Sequence, residues 1–308
     1  MKKLICYIFP ALFLFSCSEK NNSAEHAGTT NKPLIVTTTG MIADAVQNLV
    51  GSNAEVIALM GPGVDPHLYK ATQGDLERLQ HADVIIYNGI HLEGKMSEIL
   101  EKLTSKKIVL AMSNGIPKEK LRLLDVNAQV YDPHIWFDVA LWKEAVAAMA
   151  KELASKYPAL KKDIEHNSIT YLQKLDSLHL QVKTAMATIP KPQRVLITAH
   201  DAFGYFGLAY DTEVKGLQGI STVSDFGLND VTQLVNFIVE HKIKSVFVET
   251  SVSDQSIKAV LDGCRQKGHN IAIGGTLYSD AMGTAGTPEG TYIGMVHKNV
   301  TTIVAALK

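Results

Sequence analysis

Four short segments each place a metal-ligand residue type where an apolar run gives out. They are Gly61-Pro-Gly-Val-Asp-Pro-His67, Asp132-Pro-His134-Ile-Trp-Phe-Asp138, Ile197-Thr-Ala-His200 and Leu277-Tyr-Ser-Asp280. Three imidazoles and one carboxylate form a mixed nitrogen and oxygen set that suits zinc first, with manganese or iron as alternatives. The four residues lie far apart in sequence, so only a folded scaffold brings them together. Around them stand further carboxylates. Asp132 or Asp138 is placed to accept the second ring N–H of His134 and orient the imidazole. Glu249 and Asp225 are candidate substitute ligands, and Glu249 is the stronger because it follows the apolar run Val246-Phe-Val248. Read singly, each residue has an ordinary reading: His67 as a turn histidine, His134 as a core histidine beside aromatics, Asp280 as an Asx turn and Asp201 as the cap of the helix after His200. Of the other histidines, His91 in Asn-Gly-Ile-His-Leu-Glu is the one worth following.

The elements that must position these residues alternate. Strands are predicted at Leu34–Thr38, Glu55–Met60, Asp83–Tyr87 and Lys107–Ala111, with helices near 41–50, 72–82 and 95–104. Valine- and isoleucine-rich strands between amphipathic helices argue for parallel sheet covered on both faces. From Asp138 to Ile189 the pattern is helical only. Pro158 divides it, and the second helix, 160–187, spans about 40 Å at ~1.5 Å per residue. Alternation resumes after Pro192, with strands at Arg194–Ala199, Glu213–Leu217, Ser245–Val248 and Asn270–Ile273. The stretch Gly274–Gly283 reads as a glycine-rich loop. The fold class is therefore α/β, with two parallel-sheet lobes, 33–157 and 191–308, joined by a long linking helix within 158–190. The metal set falls in the cleft between them, at the strands' carboxyl ends.

The amino terminus indicates export. Met1-Lys2-Lys3 precedes the apolar run Leu4–Phe15, which is too short to span a bilayer, and Cys17 follows Ser16. Residues 1–16 read as a signal peptide, Cys17 as a lipid-modified new terminus, and 17–32 as a flexible tether. Loss of Lys2 and Lys3 with the signal, and of no acid, takes the formal charge from −1 to −3. With no basic tract, nucleic acid is excluded as a partner. Cys6 leaves with the signal, so Cys264 has no disulfide partner. No oligomerisation seam is visible, which predicts a monomer.

The motifs together resemble one family. Asp-Pro-His-Leu-Tyr at 65–69, Asn-Gly-Ile-His-Leu-Glu at 88–93, Asp-Pro-His-Ile-Trp-Phe-Asp at 132–138 and His-Asp-Ala-Phe-Gly-Tyr-Phe at 200–206 carry the likeness. So do Lys-Gly-Leu-Gln-Gly-Ile-Ser-Thr at 215–222 and Leu-Tyr-Ser-Asp at 277–280. They look like the zinc/manganese family of ABC-transporter solute-binding proteins, over nearly all of the chain after the signal. The resemblance implies two lobes bridged by a rigid helix and metal bound by His67, His134, His200 and Asp280. It also implies delivery of the ion to a membrane permease driven by an ATPase subunit. Zinc-specific members often carry a histidine- and acid-rich loop before the second ligand, and residues 112–131 contain none, so the likeness is to the branch that takes zinc or manganese without it.

The chain is thus expected to be an extracytoplasmic binding protein, lipid-anchored at periplasm or cell surface, and not an enzyme. The rival is a secreted zinc-dependent hydrolase with Glu249 as general base. Four protein ligands would fill a tetrahedral zinc, and neither a His-Glu-x-x-His pair nor a Gly-x-Ser-x-Gly elbow is present. A surface adhesin is a third class, supported by the anchor alone.

Overall fold

Branched apolar runs become the strands that carry the site, because such side chains fit a pleated surface buried on both faces. The computed structural model describes residues 32–224 and 226–308. The signal segment, Cys17, nearly all of the tether and Asp225 lie outside the described residues.

The first half alternates as β1 (Leu34–Thr37), α1 (Gly40–Val50), β2 (Glu55–Ala58), α2 (Gln73–His81), β3 (Val84–Tyr87), α3 (Ser97–Thr104) and β4 (Ile108–Ala111). The strands form one parallel sheet in the order β2-β1-β3-β4. Met41, Ile42, Ala45, Val46 and Leu49 recur at helical spacing and bury the inner face of α1. On the other side of the sheet, Val36, Ile85, Leu79, Met96 and Leu100 share a second apolar cluster.

A short antiparallel hairpin follows, β5 (Leu123–Asp125) with β6 (Val130–Tyr131). Sequence reasoning does not find it, since strands of three and two residues are too short to show a period. Next come α4 (Val139–Lys156) and α5 (Lys161–Ala187), separated by a turn at Pro158–Leu160. Asp138 caps α4, its Oδ1 accepting from the backbone of Ala140 and Leu141. The inner face of α5 buries Ile164, Tyr171, Leu175, Leu178, Val182 and Met186, at helical spacing.

The rest of the chain is β7 (Val195–His200), α6 (Gly204–Tyr210), β8 (Glu213–Gln218), α7 (Leu228–Glu240), β9 (Ser245–Glu249), α8 (Gln255–Gln266), β10 (Ala272–Leu277) and α9 (Tyr292–Leu307). β7 pairs in parallel with β8, and β9 with β10, while β7 packs beside β9. The largest core cluster joins α1, α4, α5 and α9, so the long helix is bound to residues from both halves of the chain.

One boundary differs from the sequence reading. β10 continues through Gly274 and Gly275, a stretch expected to be loop. A Cβ on Gly274 would lie 2.7 Å from Ala306 Cβ and 2.9 Å from the Phe247 ring, and Gly275 sits at φ 149° where the register slips. Glycine here permits close approach of α9 and a bulge within a strand. Its consequence is that Asp280 stands only three residues beyond a strand end, as His134 stands three beyond β6 and His200 at the end of β7.

Candidate metal centre

Each half of the chain contributes two of the four candidate donors. His67 lies in the loop after β2, and His134 immediately precedes the 3-10 turn Ile135–Phe137 that leads into α4. His200 is the last residue of β7, and Asp280 follows β10. Their ligand atoms all lie within 4.8 Å of one another. All four residues are buried, with exposures of 2% or less.

The spacing is informative. His67 Nε2 stands 3.3 Å from His134 Nε2 and 3.5 Å from Asp280 Oδ2. His200 Nε2 is 3.3 Å from Asp280 Oδ2, and His134 Nε2 is 3.5 Å from Asp280 Oδ1. Metal–nitrogen and metal–oxygen bonds of ~2.0–2.1 Å in a tetrahedron give ligand–ligand edges of roughly 3.3 Å. His200 Nε2 and both carboxylate oxygens of Asp280 have no hydrogen-bond partner, although they are buried. Buried polar atoms are normally satisfied, so a convergent group of unsatisfied ones is the mark of a site made for a ligand. Both Asp280 oxygens face imidazole nitrogens, which offers five donor atoms from four residues.

Electrostatics bind the group together. Burial pushes the His67 imidazole down to about 4, partly offset by Asp280. Burial alone would depress His200 as well, but the carboxylates of Glu249 and Asp280 outweigh it and hold this imidazole well above its ordinary value. Burial would raise Asp280, yet His200 and His134 hold it well below the usual carboxylate range.

The neighbouring carboxylates separate by role. Asp132 Oδ1 lies 2.7 Å from His134 Nδ1 and also accepts the His134 backbone N–H at 2.9 Å. Glu249 Oε2 is 2.6 Å from His200 Nδ1, and its Oε1 accepts the His200 backbone N–H at 3.0 Å. Both therefore sit behind an imidazole, on the side away from the donor cluster. Asp138 does not take the orienting role offered for it, because its side chain is spent on capping α4. Asp201 caps no helix; it faces Arg122. His91 is exposed in a turn at φ 60° and stands outside the donor group.

Several supporting residues lie in or beside the quoted motifs, but their contacts are not readable there. Trp136 Nε1 donates to the Ser279 carbonyl at 3.0 Å, and the Tyr292 hydroxyl holds the Trp136 carbonyl at 2.7 Å. Asn299 brackets Tyr278, accepting from its N–H at 2.9 Å and donating to its carbonyl at 2.7 Å. These bonds fix the segment bearing Asp280 to α9 and to the turn after His134. On the other side, Asn88 Nδ2 donates to the Pro133 carbonyl at 2.9 Å. Asn88 is itself held by Glu93, a fully buried carboxyl that burial pushes up although Thr38, Asn88 and Gly89 all donate to it. Trp136 was foreseeable from its place beside His134; Asn88 and Glu93 stand in the motif at 88–93, but their bonds to the site could not be read from it.

Comparison with known proteins follows the same lines. Residues 35–306 match the family described as ZnuA, zinc-uptake complex component A, periplasmic. The zinc-binding protein TroA of Treponema pallidum (strain Nichols) is 45% identical over 307 residues, covering 100% of this chain and 99% of TroA. The manganese-binding lipoprotein MntA of Bacillus subtilis (strain 168) is 49% identical over 274 residues, 89% of each chain. The solved structure of periplasmic zinc-binding TroA from Treponema pallidum superposes with a TM-score of 0.87 at 48% identity, over 90% of this chain and 99% of that one.

Proposed function

Because this chain belongs to the ZnuA family of zinc-uptake complex components, we propose that it captures a zinc or manganese ion outside the cytoplasm and delivers it to the permease of an ABC transporter. His67, His134, His200 and Asp280 are the ligands in this reading. The observation that carries it is the buried, closed donor set, whose 3.3–3.5 Å separations match the edges of a metal coordination shell. A catalytic zinc keeps a position open for water or substrate. Here four side chains converge without exposure, and the family serves metal uptake and not catalysis, so the hydrolase alternative has no support.

Zinc and manganese are both compatible with the donors. Three imidazoles favour zinc over manganese in the order of divalent affinities, while a bidentate Asp280 supplies the extra oxygen that manganese prefers. Relatives named for zinc and for manganese are each nearly half identical to this chain. The test is anaerobic titration of the demetallated protein with Zn²⁺, Mn²⁺ and Fe²⁺ beside a His200→Ala variant. One ion per chain, held at least about 100-fold more weakly by the variant, is the expected result. Equal binding by His200→Ala would overturn the ligand assignment.

We read segments 33–157 and 191–308 as lobes carried on the 158–190 linking helix, which limits their relative motion, and the protein as a monomer. Cys17 is the proposed lipid anchor. Wild-type protein expressed in bacteria is expected to partition into detergent with the membrane fraction, and Cys17→Ala is expected to stay in the aqueous phase. Equal partitioning of the two would remove the anchor.

A further inference from the structure

Arg122 opens the β5–β6 hairpin and makes no hydrogen bond to any of the four proposed ligands, yet its guanidinium lies between the two segments that carry His134 and His200. Nη1 donates to Asp132 Oδ2 at 2.8 Å and to Asp201 Oδ2 at 3.3 Å, and Nη2 reaches the same Asp201 oxygen at 3.4 Å. The other oxygen of Asp132 is the one behind His134. Asp201 directly follows His200 and marks where β7 ends. A ring of further bonds surrounds this clamp. The Arg122 N–H donates to the Tyr205 hydroxyl at 3.0 Å, that hydroxyl donates to the Asp132 carbonyl at 3.0 Å, and the Asp132 N–H donates to the Arg122 carbonyl at 2.9 Å. A Cβ at Gly204 would fall 2.2 Å from Arg122 Nη1, so the guanidinium rests directly on the start of α6.

The backbone ring alone would hold the hairpin base in place. The guanidinium does something else: it joins two carboxylates that belong to different histidine segments. Asp132 is fully buried, and with one oxygen on His134 its other oxygen needs a donor. A planar fork fills that need and reaches Asp201 at the same time, which a single ammonium does poorly. Carboxylates placed behind a metal-binding imidazole fix its ring and raise its basicity, and their own partners matter for the same reason.

We propose that Arg122 is a positioning residue for metal retention: by clamping Asp132 and Asp201 it holds His134 and His200 at the separation that one ion requires. The proposal rests on the metal-binding reading above. Loss of Arg122 speeds release of the ion, because the histidines then drift relative to each other, whereas the rate of capture is little changed.

The test compares wild type, Arg122→Gln, Arg122→Lys, Asp132→Asn and the Arg122→Gln/Asp132→Asn pair, using Zn²⁺ release into excess chelator by stopped flow and the visible absorption of bound Co²⁺. Arg122→Gln is expected to release zinc about 10–100-fold faster and to alter the cobalt bands. Arg122→Lys is expected to recover part of the loss. The double variant is expected to release zinc no faster than Asp132→Asn alone, since Arg122 acts through that carboxylate. Wild-type release and an unchanged cobalt spectrum in Arg122→Gln would overturn the proposal, as would effects that multiply in the double variant. If Arg122→Gln does not fold, Asp201→Asn opens half of the clamp at a partly exposed side chain, and a wild-type release rate there is equally fatal. A wild type that retains no ion at all would instead sink the functional reading.

Discussion

Asp280→Asn is expected to weaken zinc binding by at least about 100-fold, or ~2.7 kcal/mol, and to weaken manganese binding more. Removing a residue that merely supports a ligand already reaches that size, and Asp280 is in the donor set itself. Its two oxygens are buried, have no hydrogen-bond partner and face the three imidazoles. The substitution removes the only formal negative charge among the four donors, and replaces one oxygen with an amide nitrogen that cannot coordinate. Zinc keeps three imidazoles, which it favours; manganese depends more on hard oxygen donors. The expected result is therefore a widened zinc-over-manganese ratio, read by competitive titration of the demetallated variant against a chromogenic chelator. Equal losses for the two ions would mean that Asp280 contributes charge but no second oxygen. Unchanged affinity for both would exclude Asp280 from the shell.

The clustering of the four proposed ligands was legible because each member follows a run of Val, Ile or Ala that could only be a buried strand, or sits in a turn fixed by proline. The repeated Asp-Pro-His triplet shows where that legibility stops. Asp65 and Asp132 make the same local turn, each accepting the backbone N–H of the histidine two residues on, at 2.8 and 2.9 Å. Beyond the turn they diverge. The remaining oxygen of Asp65 accepts from Thr222, whereas Asp132 turns to the His134 ring and to Arg122. Nothing within the triplet distinguishes them, since partners 157 and 10 residues away decide the outcome. The same holds for Asp132 against Asp138: both flank His134, and only the start of α4 assigns Asp138 to capping. The hairpin was missed for want of length, and the helix after His200 begins at Gly204 without the Asp201 cap read for it. The glycines of β10 were read as loop because the helix they accommodate, α9, comes later in the chain. Core periodicity is a local signal; the wiring behind the ligands is not.

Stripping the metal is expected to lower the melting temperature by about 8 °C relative to protein holding zinc at 1,000 times its dissociation constant. Binding to the native state alone contributes about 4.1 kcal/mol under that condition, and a chain of this size shifts by roughly 2 °C per kcal/mol. The structure gives the effect a local cause. Three imidazoles stand with ring centroids 5.4–6.1 Å apart around a carboxylate that no protein group hydrogen-bonds. Each buried unsatisfied polar group costs about 1–3 kcal/mol, and an ion satisfies several of them at once. The donors come from both halves of the chain, so the ion also ties the loop after β2 and the turn before α4 to the ends of β7 and β10. Scanning calorimetry with chelator, Zn²⁺ and Mn²⁺ measures the shift, and Asp280→Asn should lose most of it. A melting temperature indifferent to chelator would mean that no ion is held at these residues. A shift retained in full by Asp280→Asn would place the stabilising ion elsewhere in the fold.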